Sequence, residues 1–163
     1  EVVNFLNEYF GFMIDIVFEF GGTLAKFIGD AVMAVYGVPF NLENNEEMAV
    51  RSAVKMRELV ETYNEGRRKK NLSDIKIGIG VHSGEVIAGN IGSDKRMEYT
   101  VVGSTVNIAS RIEALNKTFK TDILITEEVY ARTKDIIAVE KKESVLVKGI
   151  NAPIATYYIK GLL

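Results

Sequence analysis

Apolar side chains recur at three- and four-residue steps through Val2, Phe5, Leu6, Tyr9, Met13, Ile16, Val17 and Phe20, and this spacing predicts a helix buried along a wide face. Phe10, Phe12 and Ile14 widen that face, and Gly21-Gly22 ends the helix. The period then shortens. Thr23 to Ile28 and Ala31 to Tyr36 read as two strands around Gly29-Asp30, a tight hairpin with Asp30 at its tip. Asn44 with Glu47 marks the start of a second helix, whose small or apolar face is Ala49, Ser52, Ala53, Met56, Leu59, Val60 and Tyr63, and which the run from Gly66 to Lys70 ends. Ile75 to Val81 and Glu85 to Ile91 are predicted strands separated by His82-Ser83-Gly84. In the stretch from Arg96 to Arg111, Met97, Tyr99 and Val101 alternate with Glu98, Thr100 and Val102, as in a half-buried strand. Gly103-Ser104 then offers a turn and a capping oxygen. A helix is expected over 105–116, with Ile108, Ala109, Ile112 and Leu115 as its apolar stripe and with Asn107 and Arg111, four apart, together on one flank. A strand near Ile123 to Ile125, a short helix capped by Thr126, and strands near Ile136 to Val147 and Ala155 to Ile159 complete the pattern. Lys148-Gly149 lies between the last two.

Composition narrows the class. The 163 residues, 47% hydrophobic and 26% charged, fit one folded domain of mixed α+β type without repeats or low-complexity segments. A net charge of -2 provides no general field for a polyanion, so nucleic acid is not expected as a partner and any phosphate must be gripped by local groups. The run Arg67-Arg68-Lys69-Lys70 is read as a helix C-terminal cap, where the dipole favours cations, rather than as a nucleic-acid patch. With no Cys there is no disulfide framework, in agreement with a reducing compartment. The longest apolar run is far too short to span a bilayer. The cytoplasm is the expected location, either free or as the cytoplasmic part of a larger or membrane-attached protein. Gly78-x-Gly80 is not a dinucleotide fingerprint, because no helix comes after it to hold a pyrophosphate. Close approach of a neighbouring backbone in a sheet explains those glycines better. His82, the only His, is read as structural.

Two stretches, Gly-Gly-Thr-Leu-Ala-Lys-Phe-Ile-Gly-Asp-Ala-Val-Met-Ala-Val-Tyr-Gly and Glu-Tyr-Thr-Val-Val-Gly-Ser-Thr-Val-Asn-Ile-Ala-Ser-Arg, together closely resemble the class III adenylyl and guanylyl cyclase catalytic domain. The likeness continues through the segment Gly78 to Gly92 and the closing Val147-Lys148-Gly149, covering nearly the whole chain in the family's order. The resemblance implies a ferredoxin-like βαββαβ core with additional strands and helices. It also implies head-to-tail homodimers with active sites between the subunits, and conversion of a nucleoside triphosphate to its 3′,5′-cyclic monophosphate and pyrophosphate.

Residue by residue, the match implies that Asp30 is one of two metal-binding aspartates serving two divalent cations, Mg²⁺ or Mn²⁺. It makes Arg111 the group that stabilises charge on the α-phosphate and Asn107 the group that orients the ribose. Lys148 becomes a contact to the terminal phosphates, and Lys26 with Thr100 the pair that reads the base. Lys can donate to adenine N1 and a Thr oxygen can accept from the 6-amino group, whereas guanine presents the reverse arrangement, so ATP is the expected substrate. Many relatives carry Asp where Thr100 stands, and a hydroxyl, able to donate as well as accept, discriminates less. The other metal aspartate belongs on the family's opening strand, ahead of the first helix. Residues 1–163 therefore read as a cyclase domain truncated at its N-terminus, expected to turn over little or not at all by itself and to lie downstream of an unidentified regulatory domain. A catalytically silent cyclase-like domain serving as a nucleotide-binding or regulatory partner is the alternative. An unrelated ferredoxin-like binding module is a third reading, against which the motifs weigh.

Overall fold

The computed structural model describes residues 2–163, the Val2 side chain excepted. The expected place of Val2 in the first apolar stripe, and the start of the chain at Glu1, lie outside the described residues. The elements run α1 (Val2–Glu19), β1 (Thr23–Ile28), β2 (Ala31–Val35), α2 (Asn45–Lys69), β3 (Ile79–Val81), β4 (Ile87–Ser93), β5 (Arg96–Val102), α3 (Ser104–Phe119), β6 (Ile123–Thr126), α4 (Glu127–Thr133), β7 (Ile137–Val145) and β8 (Ile154–Leu162). The architecture is α+β, as expected.

One four-stranded sheet, in the order β3-β6-β8-β7, forms the centre; β3 runs parallel to β6 and the other pairs are antiparallel. Strand alternation sorts its side chains into two cores. Ile123 and Ile125 of β6, with Tyr157 and Ile159 of β8, face Val50, Ala53 and Val54 of α2 and Val129 of α4. Leu124 points the other way, into a second core with Ile108 and Ile112 of α3 and with Val147. All four residues of β6 are buried, as befits a strand covered on both faces. Arg57 of α2 ties the helix to the sheet, donating through Nε (2.8 Å) and Nη2 (2.7 Å) to the two carboxylate oxygens of Asp122.

The two hairpins stand apart from this sheet. β1 pairs only with β2, with a register shift between Leu24 and Lys26, and β4 pairs only with β5. Among the described residues β3 has a laddered neighbour on one side only. The hairpin β1–β2 leans on α1 through Phe10 and Phe27, whose ring centroids are 5.2 Å apart.

Several boundaries differ from expectation, each for a physical reason. Strand pairing near Ile75 begins only at Ile79, where β6 becomes available as a partner. Helix α2 runs through Gly66 to Lys69, because the cations of its last turn complement the helix end rather than break it. Ser104 is the first residue of α3 and does not cap it. Gly103 holds that place at φ 140°, a value that favours glycine, and the helix continues to Phe119. Glu47 does not close a capping box with Asn44, since Arg51 takes its carboxylate at 2.9 Å. Thr126 precedes α4 in extended conformation, but its hydroxyl is turned to His82 instead of the helix. In α1, Met13, Ile16 and Val17 are buried as expected, whereas Phe12 is 43% exposed.

Candidate active site

Helix α3 presents Asn107, Ser110 and Arg111 on its outer flank because its opposite stripe is committed to the core: Ile108 and Ile112 are buried against Leu124 and Val147. Burial of Val147 also fixes the turn after it. The backbone N–H of Ile150 donates to the carbonyl of Val147 at 3.0 Å, closing that turn, and Gly149 within it has φ 88°. Lys148 is thereby held beside the helix flank. Asn107, Ser110, Arg111, Val147 and Lys148 line one concavity of about 380 Å³. Three of the residues matched from sequence, drawn from two parts of the chain more than thirty positions apart, thus share one wall. Ser110 was missed. Its spacing three residues after Asn107 places it on the same helix flank, and that signal could have found it.

The electrostatics suit an anion. Among the described residues, Arg111, Lys148 and Lys26 have no carboxylate partner, while Arg51, Arg57, Arg68 and Arg96 are paired. Two exposed cations and a neutral amide around a small concavity can hold phosphoryl oxygens by charge-assisted hydrogen bonds.

The remaining candidates lie elsewhere. Thr100 sits in β5 opposite Gly89 of β4, half-buried, and Lys26 is exposed in β1, opposite Met33. The strands that carry them touch, so both fall on one side of the molecule. Asp30 is exposed at the β1–β2 tip. Its charge adds to burial, the larger cause, in holding the Tyr9 phenol above its ordinary value, which puts the tip near α1. Asp30, Lys26 and Thr100 do not line the Arg111 concavity. As a hard oxygen donor Asp30 fits a divalent cation as one ligand among several. Among the described residues, however, no group of three or more His, Cys, Asp or Glu side chains is assembled.

Three motifs with other readings resolve into structure. His82 is nearly enclosed and its Nδ1 shares a hydrogen bond with Thr126 Oγ1 at 2.8 Å; burial lowers its pKa, partly offset by Glu128 at 3.8 Å. Arg68 of the basic run is neutralised by Glu61 (2.8 Å) and Asp74 (2.6 Å), and Arg67 lies over the ring of Phe5. Gly80 does mark close backbone approach, but the neighbour is helix α3 and not a strand. A Cβ there would lie 2.7 Å from the carbonyl of Ala109.

The structure is thus an α+β domain with two exposed cations around a concavity at one helix flank. Residues 1–161 match the adenylate and guanylate cyclase catalytic domain, and the chain belongs to that family. It is 32% identical over 163 residues to adenylate cyclase 1 of Rhizobium meliloti (strain 1021), covering 100% of this chain and 24% of the relative. It is 36% identical over 169 residues to an adenylate cyclase of Anabaena cylindrica, covering 98% and 32% respectively. The chain therefore spans about a quarter to a third of these relatives. Among solved structures it resembles the guanylyl cyclase Cya2, with TM-score 0.86 and 34% identity over 99% of this chain and 81% of that one. The adenylyl cyclase CyaB from P. aeruginosa is equally similar, with TM-score 0.86 and 32% identity over 96% and 81%. Overall similarity does not separate the two nucleotides; side chains must. No helix among the described residues is long and apolar enough to cross a membrane.

Proposed function

We propose that this domain forms 3′,5′-cyclic AMP and pyrophosphate from ATP for signal transduction, at sites completed between two copies of the chain. The observation that carries the reading is the shared concavity of Asn107, Arg111 and Lys148, with both cations free of carboxylate partners among the described residues. In cyclisation the ribose 3′-oxygen bonds to the α-phosphorus, the bond from that phosphorus to the bridging oxygen breaks, and the hydroxyl proton is lost to solvent. Charge grows on the phosphoryl oxygens along this path. Arg111 donates to those oxygens, Asn107 holds the ribose in line, and Lys148 grips the leaving pyrophosphate. Lys26 and Thr100 read adenine. Asp30 would hold one side of the Mg²⁺ or Mn²⁺ ions, which supply charge neutralisation to the triphosphate when bound.

Asp30 lies outside the Arg111 concavity, and a second copy is the natural source of it. The hairpins offer the surface. Ile28, Ile87, Ile91, Met97 and Tyr99 are between 46% and 71% exposed, Ile87 and Ile91 on one face of the β4–β5 hairpin and Met97 and Tyr99 on the other, and a partner copy would cover apolar surface of this kind. A further strand carrying the second metal aspartate fits the open edges of β2 and β3, and we propose that the whole protein supplies it.

The silent-domain reading is favoured by one observation: among the described residues no group of three or more His, Cys, Asp or Glu side chains stands together to hold a metal. Incubating the whole protein that carries this domain with ATP or GTP and either cation, then separating the products, decides among these. Cyclic AMP as the main product is expected. Cyclic GMP in excess overturns the base assignment, and nucleotide binding without either product establishes the silent reading.

A further inference from the structure

Helix α3 begins without the side-chain cap that usually fixes a helix start. Its N-cap is Gly103, which has no side chain to cap the first turn. Burial of Ile108 and Ile112 sets which flank faces outward, and a further contact fixes the first turn. Thr105, two residues before Asn107, donates through Oγ1 to the carbonyl of Glu85 at 2.6 Å. Glu85 lies two residues ahead of β4, the strand whose Gly89 faces Thr100. The surroundings are shaped for this contact. A Cβ on Gly84 would lie 2.6 Å from Thr105 Oγ1 and 3.3 Å from its Cγ2, so only glycine leaves room for the side chain. The backbone at Gly103 also passes the same segment, where a Cβ would lie 3.7 Å from the Glu85 carbonyl and 3.8 Å from the Val86 Cα.

We propose that Thr105 is a positioning residue: its hydroxyl ties the first turn of α3 to the lead-in of the β4–β5 hairpin, and so holds Asn107 and Arg111 in register with the base-reading side chain Thr100. Thr105 does not line the concavity and need not touch the nucleotide. The inference rests on the cyclase reading for its catalytic consequence, but the tether exists independently of it. A misplaced helix flank costs rate more than binding, because the reacting groups must be aligned only during the chemical step.

The test compares Thr105→Val, which keeps the shape and removes the hydroxyl, with Thr105→Ser, which keeps the hydroxyl, in the whole protein. Thr105→Val is expected to lower kcat about threefold to tenfold, the effect of one hydrogen bond, with KM for ATP and Tm nearly unchanged. Thr105→Ser restores kcat. Gly84→Ala, which pushes the side chain away, is expected to lower kcat as well, yet to add nothing in a Thr105→Ala background. Wild-type kcat in Thr105→Val, equal losses in Val and Ser, or a fall in Tm that accounts for the lost rate each overturns the proposal. Should the wild type form no cyclic nucleotide, the cyclase reading fails and hydrogen exchange still decides the tether. Faster exchange of the amides in 103–108 for Val but not Ser upholds it, and unchanged exchange overturns it.

Discussion

The central sheet and the two hairpins obey opposite rules. In the sheet, β6 is buried on both faces, its four residues are sealed by helices on either side, and Arg57 locks a helix across its end. In the hairpins the same residue types face outward: Ile87 is 71% exposed and Met97 59%. The apolar residues of the sheet stabilise this chain, whereas several of those on the hairpins, Ile87 and Met97 among them, are left exposed. The candidate residues divide between the same two regions. Arg111 and Asn107 stand on a helix whose inner stripe belongs to the core, while Lys26, Thr100 and Asp30 ride on hairpins.

The contrast breaks most sharply in the core. Ile125 is fully buried between α2 and the sheet, and Ile125→Ala is expected to cost up to about 5 kcal/mol by lost transfer energy and the cavity left behind. Urea unfolding monitored by circular dichroism measures it. A loss below about 1 kcal/mol would mean that the sheet is not the stability centre.

At the site, the opposite outcome is expected: large loss of activity with little loss of stability. On the proposed function, Arg111→Ala removes a donor to the developing charge and should lower kcat about a hundredfold to a thousandfold, some 2.7 to 4 kcal/mol, with Tm little changed because Arg111 is exposed. Asp30→Ala, at an exposed tip, should abolish turnover and leave the dimer intact. Mixing the two inactive variants sharpens the comparison. Half of the dimers in a one-to-one random mixture are mixed, and each carries one intact site, so activity should return to about a quarter of wild type. Background activity after demonstrated subunit exchange would place Asp30 and Arg111 in one chain's site.

Legibility in the sequence obeys the same division. The helical periods of α1, α2 and α3 and the alternation of β5 are local signals, and they predicted elements that the structure contains. The NxxxR-type spacing of Asn107 and Arg111 was legible for the same reason, since four residues on a helix return to one face. Contacts set by long-range packing were not legible. Nothing near Thr105 says that the backbone carbonyl of Glu85, twenty residues earlier, will accept its hydrogen bond, and nothing near Lys148 says that Val147 will be drawn into the core beneath α3. Gly80 shows the limit well: its sequence context announced a close approach, but only the fold shows that α3 makes it.

The hairpins yield a smaller effect that isolates recognition from stability. Ile87→Ser and Met97→Ser, both on exposed positions, should change the stability of the monomer by no more than about 0.5 kcal/mol. The same changes should weaken self-association and make activity depend on protein concentration. Analytical ultracentrifugation over a dilution series reads this. Ile87 and Met97 lie on opposite faces of the β4–β5 hairpin, so an unchanged association constant in both variants would show that neither face is where the two copies meet.

The smallest effect expected is at His82, where the sheet meets the lead-in to the β4–β5 hairpin. Its Nδ1 is bonded to Thr126, and the charged groups nearby are Glu128, at 3.8 Å, and Glu46, which accepts from the neighbouring Ser83 at 2.8 Å. Burial disfavours the imidazolium and lowers the pKa below its ordinary value, with Glu128 pulling the other way. Above about pH 6.5, the ordinary His value, the ring is neutral in both folded and unfolded chains and contributes no pH dependence. As the pH falls below that value, the unfolded chain takes up a proton that the folded one resists, so stability is lost until the lowered folded pKa is reached. Urea unfolding at about pH 7.5 and about pH 5.5 should therefore show a larger loss for wild type than for His82→Asn, which keeps a side-chain partner for Thr126 but does not titrate. Glu128→Gln should enlarge the wild-type loss by removing the one carboxylate that favours the charged ring. Parallel pH profiles for wild type and His82→Asn would show that the junction is not the source of the acid sensitivity.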